Sequence, residues 1–150
     1  MPVEITLDSG CCDHVLHAGE VPGYTILQSA GSRRRQHFVV GNGHKVPNQG
    51  EVHLNLDTVV GGKTSNLRSV FQVAEITRPL MSVSRITDQG LIATFDNEKA
   101  LIKNKSGDIV CEFQRKGGLY VTDMMLRRPT PEGGMGNSMV PAMPFGRPGR

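Results

Sequence analysis

The stretch VEITLDSGCCDH, residues 3–14, changes character in its middle. Val3–Leu7 alternates apolar and polar side chains and is rich in β-prone residues, which predicts a strand. Asp8, Ser9 and Gly10 interrupt the alternation, because a small hydroxyl residue followed by glycine favours a tight turn. The stretch therefore predicts a strand that ends at an acid. That acid is either a solvent-facing turn residue or part of an active site.

Short β-prone runs continue along the chain, separated by turn residues such as Gly41-Asn42-Gly43, which favour a tight hairpin. Residues 67–76 fit a strand or a helix by pattern, and residues 79–90 predict a buried segment leading into one short helical turn that ends at Gly90. A spacing of about 8–12 residues per strand predicts an all-β barrel or sandwich. Further strands are predicted within 22–29, 37–56, 91–96, 99–104 and 108–115, a loop at 30–36 and a turn at 61–66.

Composition limits the class of protein. The 150 residues include 18 Gly and 9 Pro but no Trp. The chain has three cysteines, and an odd number argues against a disulfide scaffold. The N-terminus lacks the pattern of a signal peptide, and no apolar run is long enough for a membrane helix, so we expect a soluble protein in a reducing compartment. The composition predicts a folded domain over residues 1–127 and a disordered Pro/Gly/Met-rich tail over 128–150, despite the helical spacing of Met135, Met139 and Met143.

The charge is mild, with a formal net charge of +3 to which Arg33-Arg34-Arg35 contributes. These arginines could contact RNA phosphates, and such binding would weaken steeply with salt. No aromatic stacking platform accompanies them, so a solvated loop is the favoured interpretation and a nucleic-acid partner is not expected.

An Asp-Ser-Gly sequence makes chemical sense in a protease that uses two acids. Two carboxyl groups held together share one proton, so one can act as a general base on water while the other polarises a carbonyl. A neighbouring hydroxyl can hydrogen-bond the acid, and a glycine lets the backbone N–H approach it. The chain contains a single Asp-Ser-Gly, so the second acid would come from another copy, across a two-fold axis.

Four stretches in order carry a family resemblance: ITLDSGCCDH, VGNGHKVPNQGEVHLNL, RPLMSVSRITDQGLIATFDNEKALI and GDIVCEFQRKGGLYVTD. Together they resemble the retropepsin-like aspartic protease of copia-type retrotransposon polyproteins, or a diverged cellular relative, over about residues 3–123. The first resembles the family's active-site segment, with Asp8 in the catalytic place and His14 in the family's histidine place. The second resembles the flap hairpin, and the third resembles the Leu-Leu-Ser-Val-Ser segment.

The resemblance implies a homodimeric, all-β retropepsin-like closed barrel or sandwich with a flap and one short helix. It implies an endopeptidase that processes a polyprotein without metal or other cofactor and binds an extended peptide under residues of about 38–54. A cytoplasmic location, or one within a virus-like particle, is implied as well. The implied site residues are Asp8, Ser9 and Gly10 in catalysis, Val40, Gly41, Asn42 and Gly43 in the flap, and Leu80, Met81, Ser82 and Val83 packed under the dyad.

Two departures from the family pattern favour an alternative function. Cys11 stands where the family has a small residue, and only seven residues precede Asp8. The alternative is a catalytically inactive module of the same fold that captures peptides or assists assembly.

Other polar residues have structural interpretations. Cys11, Cys12, His14 and His17 could form a metal site, but buried or half-buried cysteines and surface histidines are favoured because adjacent cysteines rarely share one ion. His44, near the hairpin tip, is expected to be exposed. A last set of acids is assigned to turns or strand ends: Asp57, Asp88, Asp96 and Asp108.

Overall fold

The structure is a computed structural model that describes residues 1–129. The predicted all-β class is confirmed, because strands dominate this part of the chain. The strands are β1 (Pro2–Asp8), β2 (Val15–Leu16), β3 (His37–Val39), β4 (Lys45–Pro47), β5 (Gly50–Val60), β6 (Lys63–Val73), β7 (Leu80–Ser82), β8 (Ile92–Phe95), β9 (Lys99–Lys103), β10 (Ile109–Lys116) and β11 (Leu119–Leu126).

The short helix predicted within 79–90 is present, but a second short α-helix accompanies it, so the predicted number of one helix is wrong. There are two short α-helices, α1 (Ala30–Arg33) and α2 (Val83–Asp88), and a 3-10 helix at Ala18–Glu20. No helix among residues 1–129 is long and apolar enough to cross a membrane. The predicted disordered tail, including the methionine series, lies outside the described residues except for Arg128 and Pro129.

Nine strands form one mixed sheet in the order β1-β7-β2-β6-β5-β11-β10-β9-β8, and β1 also pairs with β11. This extra pairing closes the six strands from β1 to β11 into a ring, as predicted for a closed barrel. The remaining strands, β10, β9 and β8, extend the sheet outward from β11. Each strand of the ring therefore has a neighbour on both sides, which leaves β1 held between β7 and β11.

The longest hairpin of the structure covers residues 50–73. β5 and β6 have eleven residues each and pair along their whole length from Gly50↔Val73 to Val60↔Lys63. Gly61 and Gly62 both have positive φ, 57° and 80°, which suits a two-residue hairpin turn. Residues 67–73 are thus strand rather than helix, and the turn predicted over 61–66 is confined to two glycines.

The barrel interior follows the alternation in the sequence. Val3, Ile5 and Leu7 of β1 are buried while Glu4 is exposed, as the pleat of a strand requires. The same alternation holds in β5. The largest fully buried side chains of the core are Phe71, Phe113, Ile5, Leu16, Leu56, Leu67, Met81, Ile86, Ile102 and Met124.

Residues 22–36 differ from the prediction. The strand expected within 22–29 is reduced to one isolated bridge, Leu27↔Glu51. The loop expected at 30–36 begins as α1, because the Ser29 hydroxyl accepts the Ser32 N–H and the Ser32 hydroxyl accepts the Ser29 N–H. The three arginines that follow in sequence are exposed, in agreement with a solvated segment.

The hairpin expected within 37–56 forms, but it is shorter than predicted. β3 and β4 pair with each other in a separate two-stranded sheet, called here the 37–47 hairpin. The chain then turns at Asn48, whose side chain accepts the Gly50 N–H at 2.8 Å, and enters the main sheet as β5. A Cβ at Gly50 would overlap the Leu27 carbonyl oxygen, and Gly50 has φ +138°, so this junction requires glycine. Residues 50–54 therefore belong to the barrel wall and not to a flap.

Candidate active site

Asp8 is the last residue of β1, where the strand leaves the barrel. Thr6, Leu7 and Asp8 pair in parallel with Leu80, Met81 and Ser82 of β7. The Asp8 side chain is half-buried, and its Oδ1 accepts the Gly10 N–H at 2.7 Å. This bond is the approach of backbone to carboxylate that the Asp-Ser-Gly sequence predicted. Ser9 is exposed at the start of the turn, and its predicted role stays a prediction.

A groove of about 950 Å³ opens over Asp8, and it is called here the first groove. Its lining comes from the turn after β1, from residues 36–42 and from residues 75–78 before β7. Of the predicted site residues, the groove brings together Asp8, Gly10, Val40, Gly41, Asn42 and Leu80. A groove lined by both an acid and part of a hairpin is the arrangement that an extended peptide substrate would need.

Several predicted site residues lie away from the groove lining. Gly43 has φ +85° and closes the hairpin turn, with its N–H donating to the Val40 carbonyl at 2.8 Å. Met81 is fully buried in the core. Ser82 is fully buried behind Asp8, and Val83 packs partly buried against the core. Gly43 therefore shapes the hairpin turn, residues 81–83 lie in or against the core, and their predicted packing under a dyad stays a prediction.

A second cavity of about 680 Å³ also contains Asp8. Its walls come from the β10–β11 turn and the end of β8, at Gly118, Leu119 and Phe95. Asp8, Arg78 and Leu80 line both spaces, so Asp8 lies between them. The strands after α2 thus contribute to the neighbourhood of the acid, which the sequence analysis did not predict.

Three hydrogen bonds, called here the loop clamp, hold the turn that follows Asp8 against Ser82 and Arg85. The Ser82 N–H donates to His14 Nδ1 at 2.9 Å, and the Ser82 hydroxyl donates to the Cys11 carbonyl at 2.6 Å. The Arg85 Nε–H donates to Asp13 Oδ1 at 2.8 Å, and the two side chains form an ion pair. The Ser82 hydroxyl also accepts the Arg85 N–H as the N-cap of α2. One buried serine therefore joins the Asp8 turn to the helix behind it.

His14 corrects one of the sequence interpretations. It was assigned to the surface, but it is only 6% exposed, and its ring packs on Phe71 with the ring centroids 5.2 Å apart. Because Nδ1 accepts a backbone N–H, the neutral ring carries its proton on Nε2. The signal in the sequence was a histidine six residues after Asp8. Only the fold shows that Ser82, at the end of β7, is its hydrogen-bond partner.

The cysteines also differ in their positions. Cys11 is half-buried, and its Sγ donates to the Asp13 carbonyl at 2.8 Å, which directs the thiol to the turn's own backbone. Burial raises the pKa of the Cys11 thiol. Cys12 is exposed, contrary to the expectation of burial or half-burial. Among residues 1–129, no group of three or more His, Cys, Asp or Glu side chains is arranged to hold a metal ion.

The other acids of the first groove have charged or ionisable partners. Asp13 is paired with Arg85, and Glu75 lies 2.6 Å from His17 Nε2. Within residues 1–129 Asp8 has no ion-pair partner. Asp8 is therefore the acid in this groove that is best placed to meet a second carboxyl group or a substrate.

Asp57 is a second correction among the acids. It was assigned to a turn or strand end, but it lies inside β5 and accepts Arg127 Nε–H at 2.9 Å. That hydrogen bond lowers the pKa of the Asp57 carboxyl. The ion pair lies at the β5–β11 contact that helps to close the barrel. Asp57 therefore has a structural role, although at another place than predicted.

Comparison with known proteins gives no further assignment: no family model, no curated protein and no solved structure matches the chain. The class that the structure itself defines is an all-β protein with a closed ring of strands and a groove lined in part by the Asp8 carboxylate.

Proposed function

We propose that the chain is one subunit of a homodimeric aspartic endopeptidase of the retropepsin type, acting on extended peptides such as polyprotein segments. The observation that carries the proposal is the position of Asp8. It ends a buried strand at the base of a groove beside the 37–47 hairpin, with Gly10 N–H on its carboxylate. The order of these parts along the chain agrees with the family resemblance in the sequence.

The proposed reaction uses Asp8 from each subunit. One ionised Asp8 takes a proton from a water molecule as the water oxygen attacks the peptide carbonyl carbon, and the other, protonated, Asp8 donates its proton to the carbonyl oxygen. The resulting diol collapses when the amide nitrogen takes a proton and the C–N bond breaks. No metal and no covalent enzyme intermediate take part. Gly10 orients the acid, and the loop clamp holds the turn in place.

The substrate would lie extended along the first groove. Val40, Gly41 and Asn42 line the same groove as Asp8, and the hairpin's short strands offer backbone groups for main-chain hydrogen bonds. Apolar residues such as Phe38, Ile76 and Leu80 line the same space and would contact substrate side chains.

The test is cleavage of a mixed peptide library between acidic and neutral pH, read by mass spectrometry. The Asp8→Asn variant should lose at least about 10²–10⁴-fold of the rate, because it removes general acid–base catalysis. Glu75→Gln is the matched control, since Glu75 lines the same groove but is paired with His17 and takes no part in the loop clamp. It should retain cleavage, and a statine-type transition-state mimic should inhibit the wild type.

Two results would contradict the proposal. In the first, the wild-type protein is dimeric by sedimentation but cleaves no peptide of the library between acidic and neutral pH. A variant Glu75→Gln as inactive as Asp8→Asn, while folded, would indicate a dyad within one chain.

A non-catalytic peptide-binding module is the second candidate. One observation favours it: a single chain presents one acid without an ion-pair partner in a groove of about 950 Å³. A chain that remained monomeric could hold a peptide there but would lack the second acid. Binding of labelled peptides by a monomeric wild type, unchanged in Asp8→Asn and without cleavage, would favour this function.

A further inference from the structure

One arginine lies at the two spaces that contain Asp8. Arg78 lines both the first groove and the second cavity, and within residues 1–129 no other Lys or Arg lines either space. Arg78 is exposed, and it forms no ion pair with any residue of that range. Its guanidinium group is therefore available to an anionic group on a ligand.

The neighbouring acids of the first groove do not neutralise Arg78. Glu75 lies 2.6 Å from His17 Nε2, and Asp13 pairs with Arg85. Both acids thus have partners of their own in the free protein. A carboxylate brought by a ligand would meet the Arg78 charge without displacing an existing ion pair.

The backbone next to Arg78 is fixed to the strand that carries Asp8. The Thr6 N–H donates to the Pro79 carbonyl at 3.0 Å, and Thr6 pairs with Leu80 at the start of β7. The guanidinium nitrogens of Arg78 and the carboxylate oxygens of Asp8 nevertheless lie more than 4.0 Å apart. A cation that a rigid element holds near the proposed catalytic acid can select among ligands, because its backbone does not have to move.

The second cavity adds an apolar wall to this cation. Phe95 is 46% exposed and Leu119 39%, and both line the cavity together with Arg78. The Phe95 and Tyr120 rings meet edge to face, with centroids 5.1 Å apart, and the Tyr120 hydroxyl donates to the Asp96 carbonyl at 2.7 Å. The wall is therefore ordered before a ligand arrives, so covering it costs little conformational entropy.

The proposed endopeptidase binds its substrate at Asp8, so this inference rests on the proposed function. A peptide bound there extends into the spaces that Arg78 lines. We propose that Arg78 selects substrates with an aspartate or glutamate within a few residues of the cleaved bond, accompanied by a large apolar residue that contacts Phe95 and Leu119. A guanidinium can donate two parallel hydrogen bonds to one carboxylate, and a neutral amide accepts such bonds more weakly.

The first experiment measures binding without cleavage, in the Asp8→Asn protein. The probes are dansyl-labelled, C-amidated octapeptide pools that differ in one fixed central residue, Asp or Asn, and whose varied positions exclude Asp and Glu. By fluorescence anisotropy, the Asp pool should have a Kd about threefold to tenfold lower than the Asn pool. The double variant Asp8→Asn/Arg78→Gln should bind both pools equally, and Asp8→Asn/Arg78→Lys should keep part of the preference.

The second experiment identifies the residues around each bond that the full chain cleaves in the mixed peptide library. The wild type should favour Asp and Glu near the cleaved bond, and Arg78→Glu should favour Lys and Arg there instead. Lys63→Glu is the matched control, because Lys63 is exposed and lines neither space. It undergoes the same change of charge and should keep the wild-type preference.

The two proposals can fail separately. Binding of the Asp pool that requires Arg78, without any cleavage by the wild type, would contradict the endopeptidase and leave carboxylate recognition supported. Cleavage that requires Asp8 but shows the same residue preference in Arg78→Glu would overturn the inference. An Arg78→Glu protein that becomes monomeric by sedimentation while the peptide preference persists would also overturn it, and would assign Arg78 to a contact between subunits.

Discussion

The base and the side wall of the first groove are built differently. At the base, Ser82 is fully buried and joins the Asp8 turn to α2 through the loop clamp. At the side, the 37–47 hairpin has three-residue strands in a sheet of its own, and Val39 is 70% exposed. One region is fixed by tertiary contacts, and the other is shaped mainly by its own turn.

This difference separates two kinds of consequence. A change in the loop clamp leaves buried polar groups without partners, so it should alter the free energy of unfolding as well as the position of Asp8. A change in the hairpin affects few buried contacts, so it should alter peptide binding while the barrel keeps its stability. The predictions below test this separation, starting with the largest expected effect.

Ser82→Ala should destabilise the protein by about 1–3 kcal/mol, because it removes the α2 cap and leaves the Cys11 carbonyl without its donor. The measurement is chemical unfolding followed by fluorescence or circular dichroism. Peptide cleavage should also fall, since the Asp8 turn is released.

Ser69→Ala is the matched control for this prediction. Ser69 is 2% exposed, and its hydroxyl has no hydrogen-bond partner among residues 1–129. Replacing an unsatisfied buried hydroxyl by a methyl group should be neutral or stabilising. Equal losses of stability in the two variants would show that burial, and not the clamp, sets the cost.

Gly43→Ala should raise the KM or Kd for peptides while the unfolding free energy of the barrel stays within about 0.5 kcal/mol of the wild type. Gly43 has φ +85°, which costs an L-residue about 1–2 kcal/mol, and this cost falls on the hairpin. Gly41→Ala is the control for backbone strain, because Gly41 lacks positive φ and has open space where a Cβ would lie, so the hairpin turn should keep its stability. A large fall in the unfolding free energy of Gly43→Ala would contradict the separation of hairpin and barrel.

Asp57→Asn should have the smallest effect, below about 1 kcal/mol at neutral pH, because its ion pair with Arg127 is partly exposed. The pKa of Asp57 is lowered in the folded state, so its contribution is present above the unfolded pKa of about 3.9 and is lost as pH falls through the lower folded pKa. Unfolding free energies at pH 7 and pH 2 should therefore differ less in Asp57→Asn than in the wild type. Asp123→Asn, an exposed β11 control, should keep the wild-type difference.

The sequence was most informative where local rules act alone. The alternation in Val3–Leu7 predicted β1, and the Gly-Asn-Gly signal predicted the hairpin. The same local approach failed at Ser29–Arg33, where two serines cap a helix that resembled a basic loop, and at Asp57, which looked like a turn acid until β5 and β6 were paired. Short polar segments have weak secondary-structure propensities, so a few hydrogen bonds determine whether they form a helix, a strand or a loop.

The site shows the same division. The sequence by itself determined the acid, the glycine that can approach it and the hairpin, because strand alternation and turn formation depend on neighbouring residues. Only the tertiary structure decided that His14 is buried against Ser82, that Arg85 holds Asp13, and that Leu119 lies beside Asp8. These residues lie far apart in sequence, and they meet because β7 and β11 pair on either side of β1. Strand pairing is set by burial over the whole barrel, and no local pattern encodes it.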